Sequence, residues 1–243
     1  MVKNKALFLL VIIIMIIQAL LINDFETLYS SLPFLDGVPI TSSYALENKF
    51  LVYWILPFVA MSFYFTGYCR DALVTYGKII IIRNYGRTRW LYKRYLSMLI
   101  ISFIFVVIQA LIFKYLLTDS NINLEVKDIT KLLFIYFLTI STLISLQLTI
   151  ELFISPQASQ LMVNAYVVIS IILAKQMYVF GAGGFIYYLL LPNYAMGFKN
   201  GLTSIPEFQT PVISYLTGIT ILISILVFVL FIASKKIKKM DIF

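Results

Sequence analysis

RDALVTYGKIIIIRNYGRTRWLYKRY, residues 70–95, is a long charged segment between two apolar runs that are each long enough to cross a bilayer. It holds seven lysines and arginines against one acid, Asp71. Short loops rich in Lys and Arg stay on the cytoplasmic side of a membrane. We therefore expect this segment, called the basic segment below, to face the cytosol and to fix the orientation of the chain.

The composition of the 243-residue chain is typical of a membrane protein. Apolar residues make up 61% of it and charged residues 12%, whereas soluble domains are about 45–50% apolar and about 25% charged. A hydrocarbon layer about 30 Å thick needs about 20 apolar residues in a helix. Six such runs and their loops account for the whole length, which leaves no room for a soluble catalytic domain.

We predict an all-α integral membrane protein with six transmembrane helices in a single domain, residues 1–243. The predicted spans are residues 6–22, 50–69, 96–117, 132–153, 159–180 and 212–233. Thirteen cations lie in the termini and the basic segment, against six on the predicted outer side, which are Lys49, Lys114, Lys127, Lys131, Lys175 and Lys199. This bias predicts that both termini are cytoplasmic. The Gly- and Pro-rich residues 181–211 predict an interfacial or re-entrant segment on the outer face.

The residues that the chain lacks disfavour several kinds of chemistry. It has no histidine and a single cysteine, Cys69, so the commonest general base and metal ligand is missing and no internal disulfide can form. We predict no catalytic residue and no metal site, and an intramembrane enzyme is disfavoured. Cations at span ends account for the net charge of +8, so we expect no nucleic-acid binding.

No nucleotide-binding motif occurs in the sequence. The pattern G-x-x-x-x-G-K-[ST] is absent, and GAGGF at residues 181–185 lacks the lysine that contacts the phosphates. The chain itself is therefore not predicted to bind ATP. If ATP drives it, the ATPase is another polypeptide.

The basic segment has two interpretations that are compatible with each other. Juxtamembrane cations contact anionic lipid headgroups, so the segment is in part a topology signal. However, the four isoleucines at residues 79–82 and the tyrosines around them exceed what a topology signal needs. This excess favours a short amphipathic helix that docks on a soluble partner.

Glu151 is the acidic residue predicted to lie within a span. A carboxylate near the centre of a membrane helix costs about 2.5–3.5 kcal/mol on insertion scales, so such a residue is a functional candidate. Glu151 lies near the inner end of the fourth predicted span, four residues after Gln147 and on the same helix face. We expect a structural or coupling ion pair in preference to a proton or substrate site.

Other polar and aromatic residues have two interpretations each. Gln18, Gln109 and Gln147 lie inside predicted spans, where interhelical hydrogen bonds are worth about 0.6 kcal/mol on average. The alternative is that the three glutamines line a transport pathway, for which Gln109 and Gln147 are the candidates. The candidates for an outer gate or a peptide contact are Tyr187, Tyr188 and Tyr194.

The sequence resembles the membrane subunits of ABC-2-type ATP-binding-cassette exporters. The likeness is greatest to small six-span permeases of Gram-positive bacteria that act in peptide export and bacteriocin immunity. It rests on YGKIIIIRNYGRTRWLYKRYL between the second and third spans, on LLPNYAMGF before the last span and on the terminal KKIKKMDIF. It covers the whole chain in layout.

This resemblance implies a coupling helix in the basic segment that docks on a separate ATPase dimer, which binds ATP and Mg²⁺ while this chain binds no cofactor. It also implies a second six-span unit, identical or homologous, around a central pathway in the plasma membrane. The residues to which it gives the docking role are Tyr76, Gly77, Lys78, Arg83, Tyr85, Arg87 and Arg89.

Two functions from different classes follow. The first is a permease that moves an amphipathic or hydrophobic peptide or a lipid-like compound. The second is a non-transporting membrane scaffold or sensor subunit that recruits a cytoplasmic partner. Substrate-stimulated ATP hydrolysis in liposomes separates the two.

Overall fold

A computed structural model describes most of the chain. The described residues are 5–21, 32–39, 44–73, 86–116, 125–181, 184–203 and 211–239. Within these ranges the chain is helical and contains no strand. The middle of the basic segment, residues 74–85, lies outside them.

Six long helices form the framework of the described residues, and we label them α1 to α6 in chain order. Their bounds are Lys5–Leu20 (α1), Tyr44–Phe65 (α2), Arg87–Leu116 (α3), Val126–Ile150 (α4), Pro156–Val179 (α5) and Tyr215–Lys239 (α6). Five of them, α2 to α6, are long and apolar enough to cross a membrane. Helix α1 is apolar but has 16 residues, so the sixth span remains a prediction.

Helix α4 is the central helix of the bundle. It packs against α2, α3, α5 and α6, and 72% of its most apolar window is buried, compared with 22% for α6. Several of its buried side chains are polar, among them Thr139, Ser141, Thr142 and Ser145. Because lipid offers no hydrogen-bond partners, the interior of the bundle is the favourable place for such a helix.

The helix bounds differ from the predicted spans where charged residues flank apolar ones. Helix α3 begins at Arg87 rather than residue 96, and α6 continues to Lys239 rather than ending at 233. Hydropathy marks where apolar side chains end, whereas Lys and Arg are good helix formers and extend the hydrogen-bonded backbone beyond that point. Helix α2 ends at Phe65 instead of 69, for a reason given below.

The segment before α6 consists of short helical turns that are buried against the bundle. Two 3₁₀ turns, Ile186–Leu189 and Leu191–Ala195, are followed by the short helix Gly197–Asn200. The second turn packs against α4 and α5, and residues 190–200 are buried throughout. None of these turns is long enough to cross a bilayer.

Candidate functional site at the C-terminal end of helix α4

Gln147 in the last turn of α4 and Glu151 directly after that helix both face the end of α2. The Gln147 amide nitrogen donates to the Ser62 carbonyl at 3.0 Å and to the Thr66 hydroxyl at 3.3 Å. The Ser62 hydroxyl donates to the Gln147 amide oxygen at 2.8 Å. Since both ends of the Gln147 side chain are bonded to α2, the two helices are held in one register.

Glu151 is completely buried and contacts the backbone where α2 ends. Its Oε1 accepts a hydrogen bond from the Gly67 amide at 2.8 Å. A buried carboxylate is costly unless hydrogen bonds compensate it, and this bond is one such compensation. The predicted ion pair of Glu151 stays a prediction.

Gly67 ends helix α2 because of its backbone conformation. Its φ of +70° lies in the left-handed region that residues with a Cβ avoid. A Cβ built at Gly67 would also collide with the carboxylate of Asp71. The chain therefore turns at this glycine and starts a short helix at Arg70–Ala72. We call residues 66–73 the elbow.

The elbow is also attached to the turn between α4 and α5. The Arg70 guanidinium donates to the carbonyl of Ile154. Ser155 caps α5, its hydroxyl accepting from the Ala158 amide at 3.3 Å, and the Ser159 hydroxyl donates to the Gln147 carbonyl at 2.6 Å. The end of α2, the end of α4 and the start of α5 thus form one hydrogen-bonded junction.

The other end of the basic segment is anchored to the same junction. The Tyr95 hydroxyl on α3 lies 2.6 Å from the Thr149 hydroxyl on α4. The Arg94 guanidinium stacks over the ring of Tyr68 in the elbow, at 5.2 Å from the ring centroid, and over the ring of Trp90, at 5.3 Å. The chain therefore leaves and re-enters the bundle beside the last turn of α4.

Two of the seven predicted docking residues lie among the described residues. Arg87 and Arg89 lie in the first turn of α3, where the Arg87 guanidinium donates to the carbonyl of Lys238 on α6 at 3.3 Å. The remaining docking residues, Tyr76, Gly77, Lys78, Arg83 and Tyr85, lie outside the described residues. Their role stays a prediction.

A second polar network joins α1, α2, α3 and α4 deeper in the bundle. The Gln109 amide nitrogen donates to the Gln18 side-chain oxygen at 2.8 Å, and the Tyr136 hydroxyl donates to the Gln109 oxygen at 3.1 Å. The Gln18 nitrogen donates in turn to the carbonyl of Tyr53 at 3.0 Å. The expected interhelical hydrogen bonds of Gln18 and Gln109 are therefore present, whereas a pathway role for Gln109 and Gln147 remains a prediction.

The three tyrosines predicted at an outer gate lie in the segment before α6. Tyr194 is completely buried and its hydroxyl donates to the carbonyl of Tyr188 at 2.9 Å. Burial raises the pKa of the Tyr194 hydroxyl well above its ordinary value, and the nearby Tyr188 and Tyr166 raise it further. Tyr187 is also buried. In this conformation Tyr194 is a packing residue with a protonated hydroxyl.

Sequence reasoning missed a buried polar cluster in this segment. Lys199 is 2% exposed, and its ammonium donates to the side-chain oxygen of Asn193. Asn193 donates to the Ser170 carbonyl of α5 at 3.2 Å. Asp36 is also completely buried. Lys199 is among the cations of the predicted outer side, and the mixed sequence YAMGFKNG around it gives no signal of its burial.

The groups available at the C-terminal end of α4 are hydrogen-bonding side chains and one carboxylate, that of Glu151. Among the described residues no three His, Cys, Asp or Glu side chains come together as a metal site. The arrangement is suited to holding two helices and a backbone turn in a fixed geometry. It is therefore a candidate for mechanical coupling between the basic segment and the bundle.

Comparison with known proteins places the chain in a family. Residues 11–243 match the family model described as "Protein of unknown function (DUF2705)". The chain is similar to the uncharacterized protein YybK of Bacillus subtilis (strain 168), with 31% identity over 239 residues that cover 96% of this chain and 95% of YybK. No solved structure matches it. Because the family model extends over almost the full length, the chain belongs to the DUF2705 family.

Proposed function

We propose that this chain is the membrane subunit of an ATP-driven exporter in the plasma membrane, and that its basic segment docks on a separate ATPase. The cargo class that fits so apolar a chain is an amphipathic or hydrophobic peptide or a lipid-like compound. A second six-span unit, identical or homologous, completes the pathway. ATP and Mg²⁺ are bound by the partner.

The observation that supports the proposal most is the anchoring of both ends of the basic segment beside one turn of α4. Gly67 on the entering side bonds to Glu151, and Tyr95 on the returning side contacts Thr149. Arg94 connects the two sides by stacking over Tyr68. A segment that only signals topology needs no such attachment to the central helix.

This attachment provides a route for force through the bundle. A partner that displaces the basic segment moves the elbow, and the bonds of Gln147 and Glu151 pass the displacement to α4. Helix α4 packs against the buried turn Leu191–Ala195 before α6, so the movement reaches the segment that holds Tyr194. If two such arrangements differ in free energy by a few kcal/mol, ATP binding that favours one of them by a similar amount is enough to switch the chain between them.

Co-purification tests the proposal. We expect the full-length chain to co-purify with a P-loop ATPase that has no membrane spans of its own, and substrate to stimulate ATP hydrolysis of this complex in liposomes. Charge reversal of Arg83 and Arg87 to Glu is expected to abolish co-purification while the permease stays folded. The matched control reverses two exposed cations of the predicted outer face, Lys114 and Lys127.

The outcomes separate the two functions. Unchanged co-purification after reversal of Arg83 and Arg87 contradicts docking on the basic segment. A bound ATPase whose hydrolysis no candidate peptide or lipid stimulates favours the scaffold or sensor function instead. Substrate-stimulated hydrolysis that is lost together with co-purification supports the exporter.

A further inference from the structure

Two basic runs that are far apart in the sequence meet at one end of the bundle. The Arg87 guanidinium at the start of α3 donates to the carbonyl of Lys238 near the end of α6, at 3.3 Å. Helices α3 and α6 also pack against each other. The cations at the start of α3 and at the end of α6 therefore form one surface.

This surface is strongly positive and accessible. Residues 86–95 and 231–239 contain no acidic residue. We call the exposed cations of the two runs the basic patch, and they are Arg89, Lys93, Lys235, Lys238 and Lys239. Cations of one sign on adjacent helix ends repel each other, so an anion bound between them stabilises the contact.

The surroundings of the basic patch indicate the kind of anion. Directly beyond the cations, α3 exposes Leu96 and Ile100, and α6 exposes Phe228 and Phe231. The Lys235 ammonium lies 4.4 Å from the centroid of the Phe231 ring, so a cation and an apolar side chain are adjacent at this border. A phospholipid matches both parts, because its phosphate meets the cations and its acyl chains cover the apolar side chains.

We infer that the basic patch binds the phosphate headgroup of anionic phospholipids and that the bound lipid holds the start of α3 against the end of α6. The exposed Tyr92 beside the patch has the amphipathic character of residues at the headgroup level. Clusters of four to eight cations next to a membrane helix are typical of such binding. The inference holds whether or not an ATPase docks on the basic segment.

Native mass spectrometry of the detergent-solubilised full-length chain tests this inference. Phosphatidylglycerol and phosphatidylcholine with the same acyl chains are titrated separately, and the fraction of lipid adducts gives the preference for the anionic lipid. Each cation near such a surface contributes about fivefold in affinity. We therefore expect the double variant Arg89→Gln, Lys238→Gln to lower the preference by about 25-fold.

Two matched variants complete the test. Lys114→Gln with Lys127→Gln removes the same number of exposed cations elsewhere, and the preference is expected to stay unchanged. Arg89→Lys with Lys238→Arg keeps the charge and is expected to keep the preference. Equal binding of the two lipids to the unaltered chain overturns the inference, and so does a preference that survives in the Arg89→Gln, Lys238→Gln variant. If that variant keeps the lipid preference and loses a bound acidic protein, the patch is a protein-docking site and the lipid assignment is wrong.

Discussion

The carboxylate of Glu151 accepts a hydrogen bond from the backbone amide of Gly67 at 2.8 Å, and this bond joins the end of the central helix to the turn from which the basic segment leaves. Gly67 is there because the turn needs a positive φ. Glu151 is there because a buried amide next to a helix break needs an acceptor. The two residues together fix where α2 ends.

Removing the acceptor is expected to destabilise the protein. Glu151→Ala leaves the Gly67 amide without this partner, at a cost of about 1–3 kcal/mol, whereas Glu151→Gln retains an acceptor oxygen and loses less. Thermal unfolding in detergent measures the effect. We expect the lowest unfolding temperature for Glu151→Ala, an intermediate one for Glu151→Gln and the highest for the unaltered chain. Glu125→Ala, at an exposed position on the N-terminal side of α4, is the control and should have no effect. Equal stability of all four proteins would contradict the role of Glu151.

Adding a methyl group at Gly67 is expected to disturb the elbow. Gly67→Ala places a residue with a side chain in the left-handed region, which costs roughly 1–2 kcal/mol of conformational free energy. It also brings the new Cβ against the carboxylate of Asp71. The second variant Asp71→Ala should restore part of the lost stability, since it removes the collision but not the backbone strain. Gly184→Ala is the control, because a Cβ there meets no atom within 4 Å. Identical unfolding temperatures for Gly67→Ala and Gly184→Ala would show that the turn differs from the one described.

The glutamine network gives a test of structural against pathway roles. Gln109→Leu loses the hydrogen bonds to Gln18 and Tyr136, and we expect it to destabilise the protein by about 1 kcal/mol. A double-mutant cycle with Gln18→Leu should show coupling, because the two side chains bond directly. If both residues are structural, the transport rate per folded molecule stays unchanged. A lower transport rate at unchanged stability would support the pathway role for Gln109.

The contact between Tyr194 and α6 is expected to tolerate no added volume. A Cβ at Gly218 would lie 2.7 Å from Cδ1 of the Tyr194 ring, so Gly218→Ala forces the ring or the helix to move. We expect Gly218→Ala to lower the unfolding temperature of the unaltered chain. In the Tyr194→Leu variant we expect the same substitution to lower it by less. An additive effect of the two substitutions would indicate that they do not share this contact.

Parts of this arrangement could be predicted from the sequence. The spacing of Gln147 and Glu151 indicates a shared helix face, and the two side chains do contact neighbouring parts of one element, Gln147 the end of α2 and Glu151 the elbow that follows it. The partner of Glu151 could not be predicted, because every residue except proline has a backbone amide. The residue types therefore do not indicate which amide bonds to the carboxylate. The end of α2 depends on the φ of Gly67, and a glycine in an apolar run does not by itself show that its φ is positive.

Other features were missed because hydropathy describes side chains and not tertiary contacts. The burial of Lys199 depends on Asn193, six residues earlier, which accepts its hydrogen bond. The meeting of Arg87 with Lys238 depends on the packing of α3 against α6, which a single sequence does not specify. In both cases the missing information is a contact between two residues, and the local sequence pattern around either residue does not predict it.

A partner ATPase that contacts the basic segment is the central proposal, and site-specific photocrosslinking tests it most directly. A benzoylphenylalanine in place of Arg83, a predicted docking residue of the basic segment that is not part of the basic patch, is compared, in intact cells, with the same group in place of the exposed Lys114 near the end of α3. We predict a crosslink from position 83 to a P-loop ATPase and none from position 114. The absence of any ATPase adduct from position 83, or an adduct from position 114 instead, would contradict the proposal.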